Sequence, residues 1–502
     1  MATSFDGIET GWGTSVLMTV AATRTSLLVP ADLRAKWPVL LFVLAVPLAT
    51  VTQIALGFSL PLWFDEVYTG TVAGQPTLRG LLDWCLTELT GPAFYGPMWL
   101  WARVAGVGDT ALRIPALVLS IVTPLVIARY GHPDRTVRLF WATISALWLP
   151  MVAMSTEARP YPLLFLFGSV QAMLFLRFHR APDRKFALWW ATVTALAALT
   201  HYYSLVIGGF QGLALLAVHR RAIIKLLPAA FPLGIVAVWM AFHLPMVAAY
   251  ASHHASHYQP LPLSAITAIP WFLFGEGPHG FLILAMVGFT CSTWWKGIDH
   301  RSAEAQLVWA GVATFALIVG VGLLRATMMP RYLTPGMPAL LFGLACWAQR
   351  LRDRTPMAVA AMFAIFFAAM IATMVLGSSD DRFRERRTME FETASAWLME
   401  RNSSRLHLIE TTRTEGDQQR LNMAEIAGFF FARADRPITV TLTNPVRGYR
   451  DLAASDRGDE FLSLQDEDRF SQRLFAVIAR EPRWQCRDFG STIHIRACRR
   501  ND

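Results

Sequence analysis

The sequence predicts a mainly α protein. It reads as a polytopic transmembrane helix bundle of about eleven spans, followed by a small extracytoplasmic α/β C-terminal domain. Three observations predict this. Of 502 residues, 54% are hydrophobic and only 16% are charged, against about 25% charged in an ordinary soluble chain. Apolar runs recur at roughly the 18 or more residues that a helix needs to cross a bilayer. After Gly377 the composition turns charged and polar.

The formal net charge of +9 does not indicate a nucleic-acid partner. The Lys and Arg residues gather in short segments between apolar runs, as loops on the cytoplasmic side do. The stretch from Ser15 to Pro30 is only mildly apolar and holds Arg24, so it does not read as a signal peptide. Residues 1–36 are expected to form a cytoplasmic N-terminal segment. The spans are expected at 37–58, 111–130, 139–154, 161–178, 186–200, 204–219, 226–246, 279–296, 305–324, 333–349 and 356–377.

Loop charge sets the orientation. With the N-terminus inside, the inner loops hold Arg129, Arg135 and Arg138, then Arg177, Arg180, Arg184 and Lys185, then Arg220, Arg221 and Lys225. Lys296, Arg301, Arg350, Arg352 and Arg354 complete the set. The outer loops hold few basic residues, and that bias fixes the direction. It also decides how to read 91–106, which is apolar but holds Pro92, Pro97 and Arg103. Counting it as a span would move every later basic loop outside. Residues 59–110 are therefore read as one long outer loop, partly helical on the membrane surface. The membrane domain then covers 37–378, and the multi-pass chain ends outside, as in a bacterial inner-membrane protein with a periplasmic tail.

In 380–502 a helical stretch near 388–401 is expected, with strands at 406–409, 438–442, 474–478 and 492–495. The five cysteines show no zinc spacing. Cys486 and Cys498 can pair if the tail is extracytoplasmic, since Gly490 can turn a hairpin between them. Two free thiols are the alternative.

The candidate chemistry sits at outer helix ends. Asp65 and Glu66 in Trp63-Phe64-Asp65-Glu66 are carboxylates where the chain leaves its first span, and acids near hydrocarbon are costly to keep. One can take a proton from an attacking hydroxyl or amine; the plainer role is an N-terminal cap. In the run Ser155 to Tyr161, Arg159 can hold a phosphate, while Glu157 orients it or binds substrate. The plainer role is an ion pair that fixes packing. His201 and Tyr202, beside Tyr203, sit at the end of the fifth expected span, where aromatics often form only an interfacial belt. Arg331 and Tyr332, with Arg325 nearby, can meet a leaving phosphate or merely snorkel to headgroups. His253, His254 and His257 share one loop, and a divalent metal is conceivable there. No acid lies close by, and no cofactor is otherwise implied.

These blocks resemble those of the GT-C type membrane glycosyltransferases that use lipid-linked sugars. The group includes the protein O-mannosyltransferases, the lipid A aminoarabinose transferases and related lipopolysaccharide-sugar transferases. Trp63 to Glu66 resembles their acidic pair. Gly91 to Tyr95 and Ala111 to Pro115 resemble the next two blocks, and Ser155 to Tyr161, Thr200 to Tyr203 and Pro330 to Leu333 resemble later ones. The resemblance covers roughly 37–350. It implies a polyprenyl-phosphate sugar donor and a glycolipid, lipopolysaccharide or protein acceptor outside the cytoplasm. It implies inverting displacement, with Asp65 as base and Glu66 in support. Such enzymes often carry His or Lys before the Pro-rich block, where this chain has Thr90 and Gly91, a departure at the expected donor contact. A transporter or lipid flippase is the competing reading, and it would place its ionisable groups nearer the bilayer midplane.

Overall fold

The computed structural model describes residues 31–252, 261–325, 328–377, 390–402, 404–409, 417–443, 459–463, 473, 476–490 and 495–500. All eleven expected spans fall on helices. They are α1 (Ala31–Gly57), α5 (Asp109–Tyr130), α6 (Arg135–Ala146) with α7 (Pro150–Met154), α8 (Tyr161–Arg180), α9 (Arg184–Thr200), α10 (Ser204–His219), α12 (Pro232–Ser252), α14 (His279–Phe289) with α15 (Cys291–Trp294), α16 (Ala303–Leu324), α17 (Met337–Leu351) and α18 (Pro356–Leu376). Among the described residues, five helices are long and apolar enough to cross a membrane alone, and up to seven spans result if two bent pairs are each counted as one. The bent pairs are 221–230 with 232–248, at 61°, and 263–274 with 279–289, at 97°.

The expected span at 139–154 is broken rather than continuous. α6 ends at Ala146 and α7 starts at Pro150. Proline has no N–H to give and restricts the residue before it, so the helix restarts there. α8 forms a long unbroken rod. Pro162 fits its first turn, where backbone N–H groups lack partners anyway. Arg177, His179 and Arg180 sit in its last turn, at the negative end of its dipole. Gly168 lets α8 approach the turn before α17, since a Cβ there would crowd the Pro335 carbonyl oxygen at 2.6 Å.

The bundle core is rich in aromatic rings. Phe140, Trp141, Trp148, Phe165, Phe342 and Phe363 are almost fully covered and belong to one contiguous cluster. A second cluster joins two distant parts of the sequence. Residues 59–110 fold into α2 (Phe64–Ala73), α3 (Leu78–Cys85) and α4 (Pro92–Ala105). Their Val67, Trp84 and Tyr95 pack in the same cluster as Phe391, Phe430 and Phe489 of the tail.

The tail contains α19 (Phe391–Met399), α20 (Asp417–Arg433) and five strands: β1 (Arg405–Ile409), β2 (Thr439–Thr443), β3 (Asp459–Ser463), β4 (Trp484–Phe489) and β5 (Ile495–Arg500). They form one mixed sheet in the order β2-β1-β3-β5-β4. β1 pairs parallel with β2 and β3, whereas β5 pairs antiparallel with β3 and β4. The expected strands at 406–409 and 438–442 are present, close to β1 and β2. The one expected at 474–478 is helical over 476–478. Its apolar run was too short to separate strand from helix by periodicity. Of the strand expected at 492–495, residues 492–494 lie outside the described residues, and Ile495 begins β5.

Cys486 and Cys498 face each other across the β4–β5 pair and form a disulfide. The loop that it closes is short, so replacing both cysteines by serine is expected to cost roughly 2–3 kcal/mol. A denaturant titration of the full chain in detergent, read by circular dichroism, checks this. In the wild type, a maleimide should label neither cysteine until the protein is reduced.

Candidate active site

The site is built on a buried ion pair. Trp63 leaves the first span in extended conformation and serves as N-cap of α2. Glu66 is the third residue of that helix, and its carboxylate reaches back to the Trp63 N–H at 3.2 Å. Arg113, in the first turns of α5, meets the same carboxylate through Nε at 2.8 Å and Nη2 at 2.7 Å. Both side chains have no exposed surface. The remaining Arg113 donors go to the carbonyls of Phe58, Leu60 and Pro61. The Ala158 N–H adds a further bond to Glu66, at 2.9 Å.

This anchoring turns Asp65 the other way. Its Oδ2 lies 3.1 Å from Arg331 Nη1 and 3.6 Å from Arg159 Nη2. Arg159 also donates to the Asp65 backbone carbonyl at 3.2 Å. Asp65 keeps 22% of its side chain exposed, whereas Arg159 and Arg331 keep 11% and 7%. The carboxylate is therefore reachable from outside, at the mouth of two nearly covered guanidiniums. The Arg331 guanidinium also faces the rings of Trp63, at 5.4 Å, and Tyr161, at 5.6 Å.

An aromatic wall flanks this group. Tyr203 and Tyr332 stack at 4.9 Å, and His201 lies 5.1 Å from Tyr332. His201 is the extended residue between α9 and α10. Burial pushes its pKa down to about 3, and Arg159 and Arg331 add to the effect. It is a neutral imidazole at every physiological pH.

Sequence reasoning missed Glu88 and Tyr95. The loop before α4 is held against α9 by a bridge between Thr90 and His201 and by the Gly91 N–H bonded to the Thr200 carbonyl. Gly91 is required there, because a Cβ would overlap the Leu199 carbonyl oxygen. This clamp brings Glu88 within electrostatic reach of Asp65 and Arg159. Burial pushes the Glu88 carboxyl up to about 7; Arg159 opposes the rise and Asp65 adds to it. Tyr95 is fully buried, its hydroxyl has no hydrogen-bond partner among the described residues, and it lies within electrostatic reach of Glu88, Arg159 and Asp65.

The structure thus brings together Asp65, Arg159, Tyr161, His201, Arg331 and Tyr332. Glu66 stands behind them and is occupied by Arg113. Glu157 is completely covered, within electrostatic reach of the Arg113 charge and of the Tyr161 phenol. Tyr202 turns to the flank, its hydroxyl on His243 Nδ1. His253, His254 and His257 lie outside the described residues. Among the described residues no group of three metal-ligating side chains occurs.

Fold and site together define a multi-pass membrane protein with a charged cluster where several helices end. No protein-family model matches the chain, and no curated protein matches it in sequence. Among solved structures it is similar to ArnT from Cupriavidus metallidurans bound to undecaprenyl phosphate. The TM-score is 0.55 at 12% identity, over 92% of this chain and 98% of that one. The apo form of the same protein gives 0.56 at 11% identity, with the same coverage. The oligosaccharyltransferase of Archaeoglobus fulgidus gives a lower score, 0.48 at 11% identity, over 84% of this chain and 68% of that one. Likeness at this identity establishes architecture alone: the chain shares the fold of these ArnT structures.

Removing one partner of a buried pair leaves the other charge uncompensated, at a cost of about 3–5 kcal/mol. Arg113→Met should therefore lower the melting temperature in detergent far more than Arg103→Met at an exposed helix end. A differential scanning measurement of the two variants decides this.

Proposed function

We propose that this chain is an integral-membrane glycosyltransferase. It moves a sugar from a polyprenyl-phosphate donor to an extracytoplasmic acceptor, a glycolipid, lipopolysaccharide or protein. The observation that carries the reading is Asp65, a reachable carboxylate held between Arg159 and Arg331 in a GT-C type fold. In the reaction, Asp65 accepts the proton of the acceptor hydroxyl or amine as that atom attacks the anomeric carbon. The bond from the anomeric carbon to the phosphate oxygen breaks on the opposite face, with inversion. The departing polyprenyl phosphate gains negative charge, which Arg159 and Arg331 meet with fixed donors. The wall of His201, Tyr203 and Tyr332 offers ring faces to the sugar or to the first prenyl units. Glu66 acts through Arg113 as a positioning residue and does not touch substrate.

Two observations support placing the site outside the cytoplasm. Basic residues gather in the loops at the opposite helix ends. The Cys486–Cys498 disulfide suits an oxidising compartment. The transporter reading finds little support, because the two bent helix pairs break near Phe231 and Glu276 rather than at the Asp65 cluster.

Transfer of labelled sugar from a panel of polyprenyl-phosphate sugars tests the proposal, in membranes holding wild-type protein or Asp65→Asn. The expected result is one preferred donor and a loss of about 10² or more in the variant. Full activity in Asp65→Asn would remove Asp65 from the role of base. Absence of transfer from every donor would favour transport.

Glu88 gives a pH signature. Its folded-state value, about 7, lies above the unfolded value of 4.5. Between these the folded protein binds more protons than the unfolded, so stability falls as pH rises from about 4.5 to 7. Glu88→Gln should flatten that decline. Melting temperatures of both proteins across this range provide the check.

A further inference from the structure

The densest group of cations outside the Asp65 site lies at the far end of α8. That helix has 20 residues, about 30 Å at 1.5 Å per residue, which matches the hydrocarbon thickness of a bilayer. It starts at Tyr161 beside Arg331 and ends at Arg180. There a cavity of about 240 Å³ is lined by Arg129, Tyr130, His132, Arg138, Arg177 and Arg180, among others.

Arg180 is already engaged, bonding to His132 and to Glu304. The other three arginines are held differently. Arg177 Nη2 donates to the Tyr130 carbonyl at 3.2 Å. Arg138 Nη1 donates to the carbonyls of His132, at 3.3 Å, and Pro133, at 3.4 Å, while its Nε is buried without a partner. The Arg129 guanidinium lies 4.9 Å from the Tyr130 ring. Among the described residues, no carboxylate pairs with Arg129, Arg138 or Arg177.

The ordinary account is that these arginines are inner-loop charges closing helix ends. It leaves two things unexplained. They converge on one cavity, with spare guanidinium donors and an orphaned Nε. His132 also lines a second, larger cavity of about 590 Å³, whose walls include Leu340, Leu344, Trp294 and Trp295. A polar cavity sized for a phosphate thus shares His132 with a larger, mostly apolar one, whose rim also holds Asp134, Asp299 and Glu304. Free phosphate would use only the first.

We propose that Arg129, Arg138 and Arg177 form a headgroup site for an anionic phospholipid, at the membrane face opposite Asp65. The guanidiniums hold the phosphodiester by charge-assisted hydrogen bonds, and the larger, mostly apolar cavity receives hydrocarbon. Basic pockets between membrane helices on the inner face suit such headgroups. The proposal needs only the multi-pass reading and does not depend on sugar transfer.

The test uses the purified full chain in detergent. Native mass spectrometry follows retention of phosphatidylglycerol, of phosphatidylcholine with the same acyl chains, and of inorganic phosphate. The proteins compared are wild type, Arg129→Gln with Arg177→Gln, and the charge-matched control Arg221→Gln with Lys225→Gln. The expected wild-type preference for phosphatidylglycerol over phosphatidylcholine is about tenfold or more. It should vanish in the first double variant and persist in the control, with the melting temperature of each variant showing that it is folded. Equal retention of the two lipids by wild type overturns the proposal. So does a preference that survives in the first double variant or that falls equally in the control. Displacement of phosphatidylglycerol by millimolar inorganic phosphate would assign the cavity to a free anion instead. If the first double variant does not fold, Arg177→Gln alone should still reduce the preference, and an unchanged preference there overturns it too.

Discussion

The buried pair of Glu66 and Arg113 is the constraint on which the site depends. Its partners come from four places: the exit from α1, the first turn of α2, the first turns of α5, and the turn before α8. Two charges taken out of water are costly unless every donor and acceptor is met. Here the Arg113 donors are spread over the Glu66 carboxylate and three backbone carbonyls. The pair therefore adds geometric definition more than net stability. Adjacent residues on a helix point about 100° apart, so fixing Glu66 inward commits Asp65 to a different face of the helix. The Ala158 N–H, tied to Glu66, brings the following Arg159 against Asp65. One buried carboxylate thereby sets the distance between the proposed base and the proposed phosphate binders.

The charge balance at Asp65 follows from how each group is covered. Two guanidiniums meet one reachable carboxylate, and burial raises the Glu88 carboxyl, which favours its protonated form. The cluster is thus cationic or close to neutral, never strongly anionic. That balance suits a phosphate arriving with its own negative charge. His201 adds no charge. Its contribution is a flat polar ring beside Tyr203 and Tyr332.

The membrane bundle was legible because its signal is redundant. Long apolar runs, flanking arginines and helix length all report the same spans, and each expected span falls on a helix. Asp65, Arg159 and Arg331 were legible for a related reason: charges beside hydrocarbon are rare enough to stand out. Arg113 was not, since it sits inside an apolar block and its partner is 47 residues away. Glu88 was hidden in the same way, placed by a loop bridge that no local pattern announces. The tail was only half legible. Its strands are five or six residues long, short enough for tertiary pairing to decide what local preference does not. The break before Pro150 was visible as a proline but was read inside a span, where neighbouring helices can tolerate one.

The tail bears on the site through α2. That helix has only ten residues, and a helix of this length is marginal without tertiary support. Its far side is covered by α20: Phe429 packs so close to Gly70 that a Cβ there would collide with its ring at 2.6 Å. Glu425 bonds to the Gln75 amide at 2.7 Å and the Trp84 indole at 2.8 Å, and Arg433 pairs with Asp109 just ahead of Arg113. The helix that carries Asp65 is thus gripped at its start by Arg113 and along its length by the tail. Loosening the second grip leaves the buried pair intact but lets α2 tilt about it. A tilt of that kind would move Asp65 relative to both Arg331 and Arg159. The tail therefore bears on the geometry of the proposed site on physical grounds.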